Sequence, residues 1–298
     1  MTSEQETVEE SVRLPMAPGG IVQAAVDELA RLTVFVQQLA LEDWSKPSAV
    51  AAWTIGDVVA HLNLTLSLYT RLVGAVVSGK GAGSAWKAVS RLTAKAMPAG
   101  APVFNTLNSA IPRVVGKALA PEVVRGQFEA SARRFGEKLA QIGPSDYTRP
   151  VHYLGTPWPL SFFLAATVNE MAVHGWDMAS PLDRAAHLSA GARSILPWFY
   201  WGATSWMFHR PADLAGSVQA QLTDPDASMW WSVTATGTER GTGERDLRND
   251  VMLRGESGMF VLVLAGRIAA GDALRTTSLT AEGDAATAER FLGAWKIV

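Results

Sequence analysis

Three residues in this chain are of types that together can hold a metal ion: His61, Glu170 and His174. Two imidazoles and one carboxylate are the donor set of an open zinc site, in which three protein ligands leave a further position for water or substrate. The chain has no cysteine. Disulfides, thiolate ligands and a cysteine nucleophile are therefore excluded, and any metal must be held through nitrogen and oxygen. Asp177, three residues after His174, is placed to orient that imidazole or to serve as an acid-base group.

The spacing alone is a weak signal. With five histidines and 28 acids in 298 positions, an acid four residues before a histidine arises roughly 0.5 times by chance. Direction adds more. At about 100° per residue, Phe163, Thr167, Glu170, His174 and Asp177 share one helix face, and His61 falls among Val58, Thr65, Leu68 and Leu72. An inward carboxylate needs a cation or a donor to offset its desolvation. A core histidine in a salt bridge meets that need as well as a metal does, so both readings stand on the residues alone.

Four helices must position these groups. From Gly20 to Glu42, Val22, Val26, Leu29, Val36 and Leu39 recur at the steps of an amphipathic helix. Thr54 and Asp57 form a capping box that opens a second helix running to about Val77. Pro121 to Gln141 carries a third stripe through Val124, Phe128, Phe135 and Leu139. A fourth helix is expected from Leu160 to about Ser180, stopping before Pro181. Four such stripes predict a bundle. Residues 78–120, rich in Gly, Ala and Pro, read as a long, partly helical connection.

Beyond Leu188 the texture changes. An apolar helix to about Phe208 is followed by alternation: Met229, Trp231, Val233 and Ala235 share one pleated face, and Val218, Ala220 and Leu222 alternate likewise. Met259 to Leu264 is apolar throughout and fits helix or buried strand, while Ala285 to Trp295 reads as a closing helix. The organisation expected is a flexible tail over 1–15, a metal-binding helical bundle over 16–187 and an α+β domain over 188–298.

Composition sets the outer bounds. Hydrophobic residues make up 48% and charged residues 18% of the chain, a globular balance without an apolar run of the ~18 residues a membrane span requires. The net charge is −2 and no basic stripe stands out, so neither nucleic acid nor membrane is expected as a partner. The polar, acidic opening MTSEQETVEE is unlike a secretory signal, which favours a cytoplasmic protein acting on small molecules. Whether it is a monomer or a homodimer stays open.

AAWTIGDVVAHL (51–62) and NEMAVHGWDMASPLDR (169–184) resemble the two signature stretches of the mycothiol-dependent maleylpyruvate isomerase family. The resemblance implies a DinB-like four-helix bundle followed by a sterol-carrier-like α+β domain, to which DVMLRGESGMFVLVLAGR (250–267) and LTAEGDAATAERFL (279–292) are similar. It implies His61, Glu170 and His174 as metal ligands and Asp177 as the acid following the second histidine. It also implies Arg267 as a catalytic and cofactor-binding contribution, a permanent planar cation for a carboxylate. Two stretches depart from the family pattern: the connection 79–120 is longer, and Ser180-Pro181 interrupts the helix after HGWD.

The implied cofactors are zinc, with nickel or cobalt able to occupy nitrogen and oxygen ligands, and mycothiol as thiol cosubstrate. A free thiol of pKa about 8.5 is only a few per cent ionised at pH 7, whereas a coordinating thiol is deprotonated outright. An isomerase would add that thiolate to a conjugated double bond, allow rotation and eliminate it; an S-transferase would release the adduct. The rivals are a noncatalytic small-molecule or lipid carrier, suggested by the apolar, Trp-rich C-terminal half, and a metal-dependent hydrolase using the same triad.

Overall fold

A computed structural model describes residues 14–79, 119–153, 156–245 and 249–295. The connection expected over 78–120 and the tail over 1–15 fall almost wholly outside these residues. The chain divides into two compact units, Met1–Ala186 and His187–Val298.

Among the described residues, the first unit is built on four helices. Helix α1 (Pro18–Gln38) buries Ile21, Ala25, Leu29, Leu32 and Val36, with Pro18 in the first turn where its missing N–H costs nothing. It ends earlier than the expected Glu42. The backbone turns extended at Leu39 (ψ 123°), Arg125 Nη2 donates to the Leu39 carbonyl at 2.6 Å, and a separate 3-10 turn, Leu41–Ser45, follows. A side chain distant in sequence thus serves the orphan carbonyl that a local stripe cannot anticipate.

Helix α2 (Ile55–Val77) begins at the expected box. Thr54 Oγ1 accepts from the Asp57 amide at 3.1 Å, and Asp57 Oδ2 accepts from the Thr54 amide at 2.9 Å. Helix α3 (Pro121–Leu139) buries Val124, Phe128, Phe135 and Leu139. A short antiparallel hairpin of β1 (Pro150–Tyr153) and β2 (Thr156–Pro159) then leads into α4 (Leu160–Ala179). That helix stops ahead of Pro181. Helices α2 and α1 each pack on both α3 and α4, closing a four-helix bundle.

The second unit is α+β. The single helix expected up to Phe208 is two, α5 (Ala190–Gly202) and α6 (Thr204–Met207). The break falls at Ala203, where Thr204 Oγ1 donates to the Trp201 carbonyl at 2.7 Å and accepts from Trp231 Nε1 at 2.9 Å. A five-stranded sheet runs in the order β5-β4-β3-β6-β7, from β3 (Gly216–Thr223), β4 (Ala227–Val233), β5 (Thr238–Thr242), β6 (Val251–Glu256) and β7 (Leu279–Gly283). Among the described residues, only β3 and β6 pair in parallel. Val218, Ala220 and Leu222 on β3 and Met229, Trp231 and Val233 on β4 are buried as their alternation demands. Ala235, expected on the same face, lies beyond the end of β4 and is exposed. The ambiguous apolar run is helix: α7 (Ser257–Leu264) buries seven of its eight residues, so burial removed the periodicity that would have identified it. Helices α8 (Ala270–Arg275) and α9 (Ala285–Gly293) complete the unit.

Candidate metal centre

Helix α2 brings His61 and helix α4 brings Glu170 and His174 to one place in the bundle. Their ligand atoms all lie within 4.8 Å of one another. His61 Nε2 is 2.6 Å from Glu170 Oε1, and His174 Nε2 is 3.6 Å from the same oxygen. The two imidazole rings meet edge-on, with centroids 4.9 Å apart. Side-chain exposure rises from 6% at His61 through 13% at His174 to 22% at Glu170, so the cluster is reached from its carboxylate edge.

Asp177 settles a proton. Its carboxylate has no exposure and lies 2.8 Å from His174 Nδ1, so that nitrogen carries the hydrogen and donates it. His174 Nε2 is left with its lone pair toward Glu170 and His61, the tautomer a metal-binding imidazole requires. His61 Nε2 and Glu170 Oε1, 2.6 Å apart, stand within hydrogen-bond reach of each other. Convergence, tautomer and a nitrogen and oxygen donor set together fit a divalent metal ion.

Two residues at this site carried no role in the sequence reading. Trp53 is 8% exposed and packs on both imidazoles, with ring centroids 5.3 Å from His61 and 6.3 Å from His174, nearly parallel to the latter. Its position just ahead of the Thr54 box was the available signal, but tryptophan is as common in cores as in pockets. Thr65 Oγ1 lies 3.5 Å from His61 Nε2. Its place one turn after His61 was legible, its orientation was not.

Further along α2, Tyr69 packs edge-on to Tyr153 of β1 and to Phe163 of α4. Burial holds the Tyr69 hydroxyl well above the usual phenol range, reinforced by Tyr153 and then by the charge of Glu170. Tyr153 is pushed up to about 12, first by burial and then by Glu170. Both stay neutral hydroxyls near neutral pH. Of the other histidines, His152 lies on β1 and His187 and His209 belong to the second unit. Arg267 is also in the second unit, half-buried after α7, and its Nη1 donates to the Ala265 carbonyl at 3.0 Å.

Residues 25–179 match the family described as the mycothiol maleylpyruvate isomerase N-terminal domain. Two solved structures share the fold over nearly their whole length. One is the crystal structure of the mycothiol-dependent maleylpyruvate isomerase, 14% identical, with a TM-score of 0.55 over 95% of this chain and 96% of that one. The other is a histidine-to-alanine mutant of the mycothiol-dependent maleylpyruvate isomerase, 13% identical, with the same TM-score and coverage. No curated protein matches the chain by sequence. Among the described residues no helix is long and apolar enough to cross a membrane.

Proposed function

Because the chain belongs to the mycothiol maleylpyruvate isomerase N-terminal domain family, we propose that it is a metal-dependent enzyme that uses mycothiol on a small electrophilic substrate. The convergence of His61, Glu170 and His174 from two helices carries this reading. When bound, a zinc ion, or nickel or cobalt in its place, supplies the Lewis acidity that ionises a thiol near neutral pH.

The chain's own residues do the rest. His61 and His174 offer neutral nitrogens, and Glu170 offers a negative oxygen that offsets part of the cation's charge. Asp177 holds the His174 proton on Nδ1 and keeps Nε2 available. Trp53 covers the imidazoles and excludes water from their flank. Arg267 is assigned the carboxylate of substrate or thiol, on the family resemblance. In an isomerisation the thiol adds to a conjugated double bond and leaves after rotation; in a transfer it stays on the product.

The test is metal content and turnover together. Wild type is expected to hold about one zinc per chain and to convert an unsaturated oxoacid of the maleylpyruvate type only when mycothiol is added. Alanine at His61, Glu170 or His174 should strip the metal. Full metal occupancy in all three variants would defeat the ligand assignment. Turnover of an ester or amide without any thiol would move the assignment to a hydrolase.

A further inference from the structure

Three threonines in the bundle helices share one habit. Thr33, Thr70 and Thr167 each return their hydroxyl to the carbonyl four residues back, at 2.7, 2.7 and 3.0 Å, the usual local bond for this side chain. Thr65, on the same helix as Thr70, turns its hydroxyl toward the ring of the residue four back and reaches 3.5 Å from His61 Nε2. That distance is at the outer limit of a hydrogen bond. The nitrogen is already engaged with Glu170 Oε1 at 2.6 Å, and one N–H has one good direction. The Thr65 hydroxyl therefore borders the ligand-facing nitrogen, and its contact is with that ring at long range.

We propose that Thr65 Oγ1 is a further binding group of this site, donating a hydrogen bond to the sulfur of a thiol brought to the cation. The inference rests on the metal reading above. A thiolate held by a metal keeps acceptor capacity, and a donor beside it favours the ionised sulfur over the neutral thiol.

Cobalt-substituted protein tests this, with mycothiol and mercaptoethanol as probes and the sulfur-to-cobalt absorption band as the readout. Thr65→Val keeps the shape and removes the donor. Cobalt affinity should stay within about twofold of wild type while both thiols bind about tenfold more weakly, the size of a lost hydrogen bond to a charged acceptor. Thr65→Ser should restore thiol binding. Thr65→Ala, which only removes atoms, answers the same question if valine disturbs the helix. Unchanged thiol affinity in a cobalt-loaded Thr65→Val protein overturns the inference. So does a loss of cobalt in valine that serine repairs, which would make the hydroxyl a support for His61 alone. A wild type that takes up no cobalt, or keeps it in His61→Ala, removes the metal reading itself and is told apart from these by metal analysis.

Discussion

At the scale of single residues, the strongest constraint is the proton on His174. Asp177 accepts it from a fully buried position, and Asp177→Asn keeps the shape while removing the charge that favours this tautomer. Metal affinity in Asp177→Asn is expected to fall by about 10- to 100-fold, the usual cost of losing such a partner, with the far-ultraviolet spectrum unchanged. Competition against a chelator measures it, and wild-type affinity would reduce Asp177 to packing. Helical spacing made the shared face of Glu170, His174 and Asp177 and the inward direction of His61 legible, while the joining of the two helices' residues into one ligand set was legible only through the family resemblance. Trp53 and Thr65 were not legible, because their roles depend on rotamer and on where a neighbouring helix places its rings, which spacing does not encode.

At the scale of elements, α2 is set by its start. The reciprocal bonds of Thr54 and Asp57 fix the first turn less than two turns before His61, so the cap also positions this proposed ligand. Thr54→Ala should cost about 1 kcal/mol of stability, read by denaturant unfolding of the metal-free protein, with a smaller loss of metal affinity alongside. A variant as stable as wild type would show that the close approach of Gly56, in the first turn, to Trp44 of the preceding 3-10 turn holds the start without the cap. The helices of the bundle were readable wherever a cap or a proline agreed with a one-sided stripe, as at Thr54, Pro121 and Pro181. Reading failed where a distant partner decided the outcome. Arg125 ends α1 at Leu39, Thr204 divides α5 from α6 through Trp231, and full burial of α7 erased the period that distinguishes helix from strand.

At the scale of the whole molecule, two of the four tyrosines link stability to alkaline pH. The folded pKa of Tyr153 stands at about 12 against about 10 for an unfolded tyrosine. Above pH 10 the unfolded chain releases a proton that the folded chain retains, so stability is full below pH 10 and is lost as pH rises through 12. Tyr153→Phe should flatten part of that decline in thermal melts, leaving the share due to Tyr69; identical slopes would assign the alkaline loss elsewhere. The division into Met1–Ala186 and His187–Val298 makes a second demand. Helices α2 and α4 both belong to the first unit, so all three proposed ligands do. The first unit produced alone should bind about one metal per chain with wild-type affinity, because nothing in the triad comes from elsewhere. Mycothiol-dependent turnover should nevertheless vanish if Arg267 supplies the carboxylate's cation, as the family resemblance implies. Arg267→Ala in the full chain separates the two contributions: metal content should be unchanged while KM for the carboxylate-bearing substrate rises, and Arg267→Lys should recover only part of the loss because a lysine cannot pair two-pronged with a carboxylate. Loss of metal from the isolated first unit would mean that the second unit stabilises the bundle. Wild-type kinetics in Arg267→Ala would remove this arginine from the reaction and leave the substrate's carboxylate to groups of the bundle.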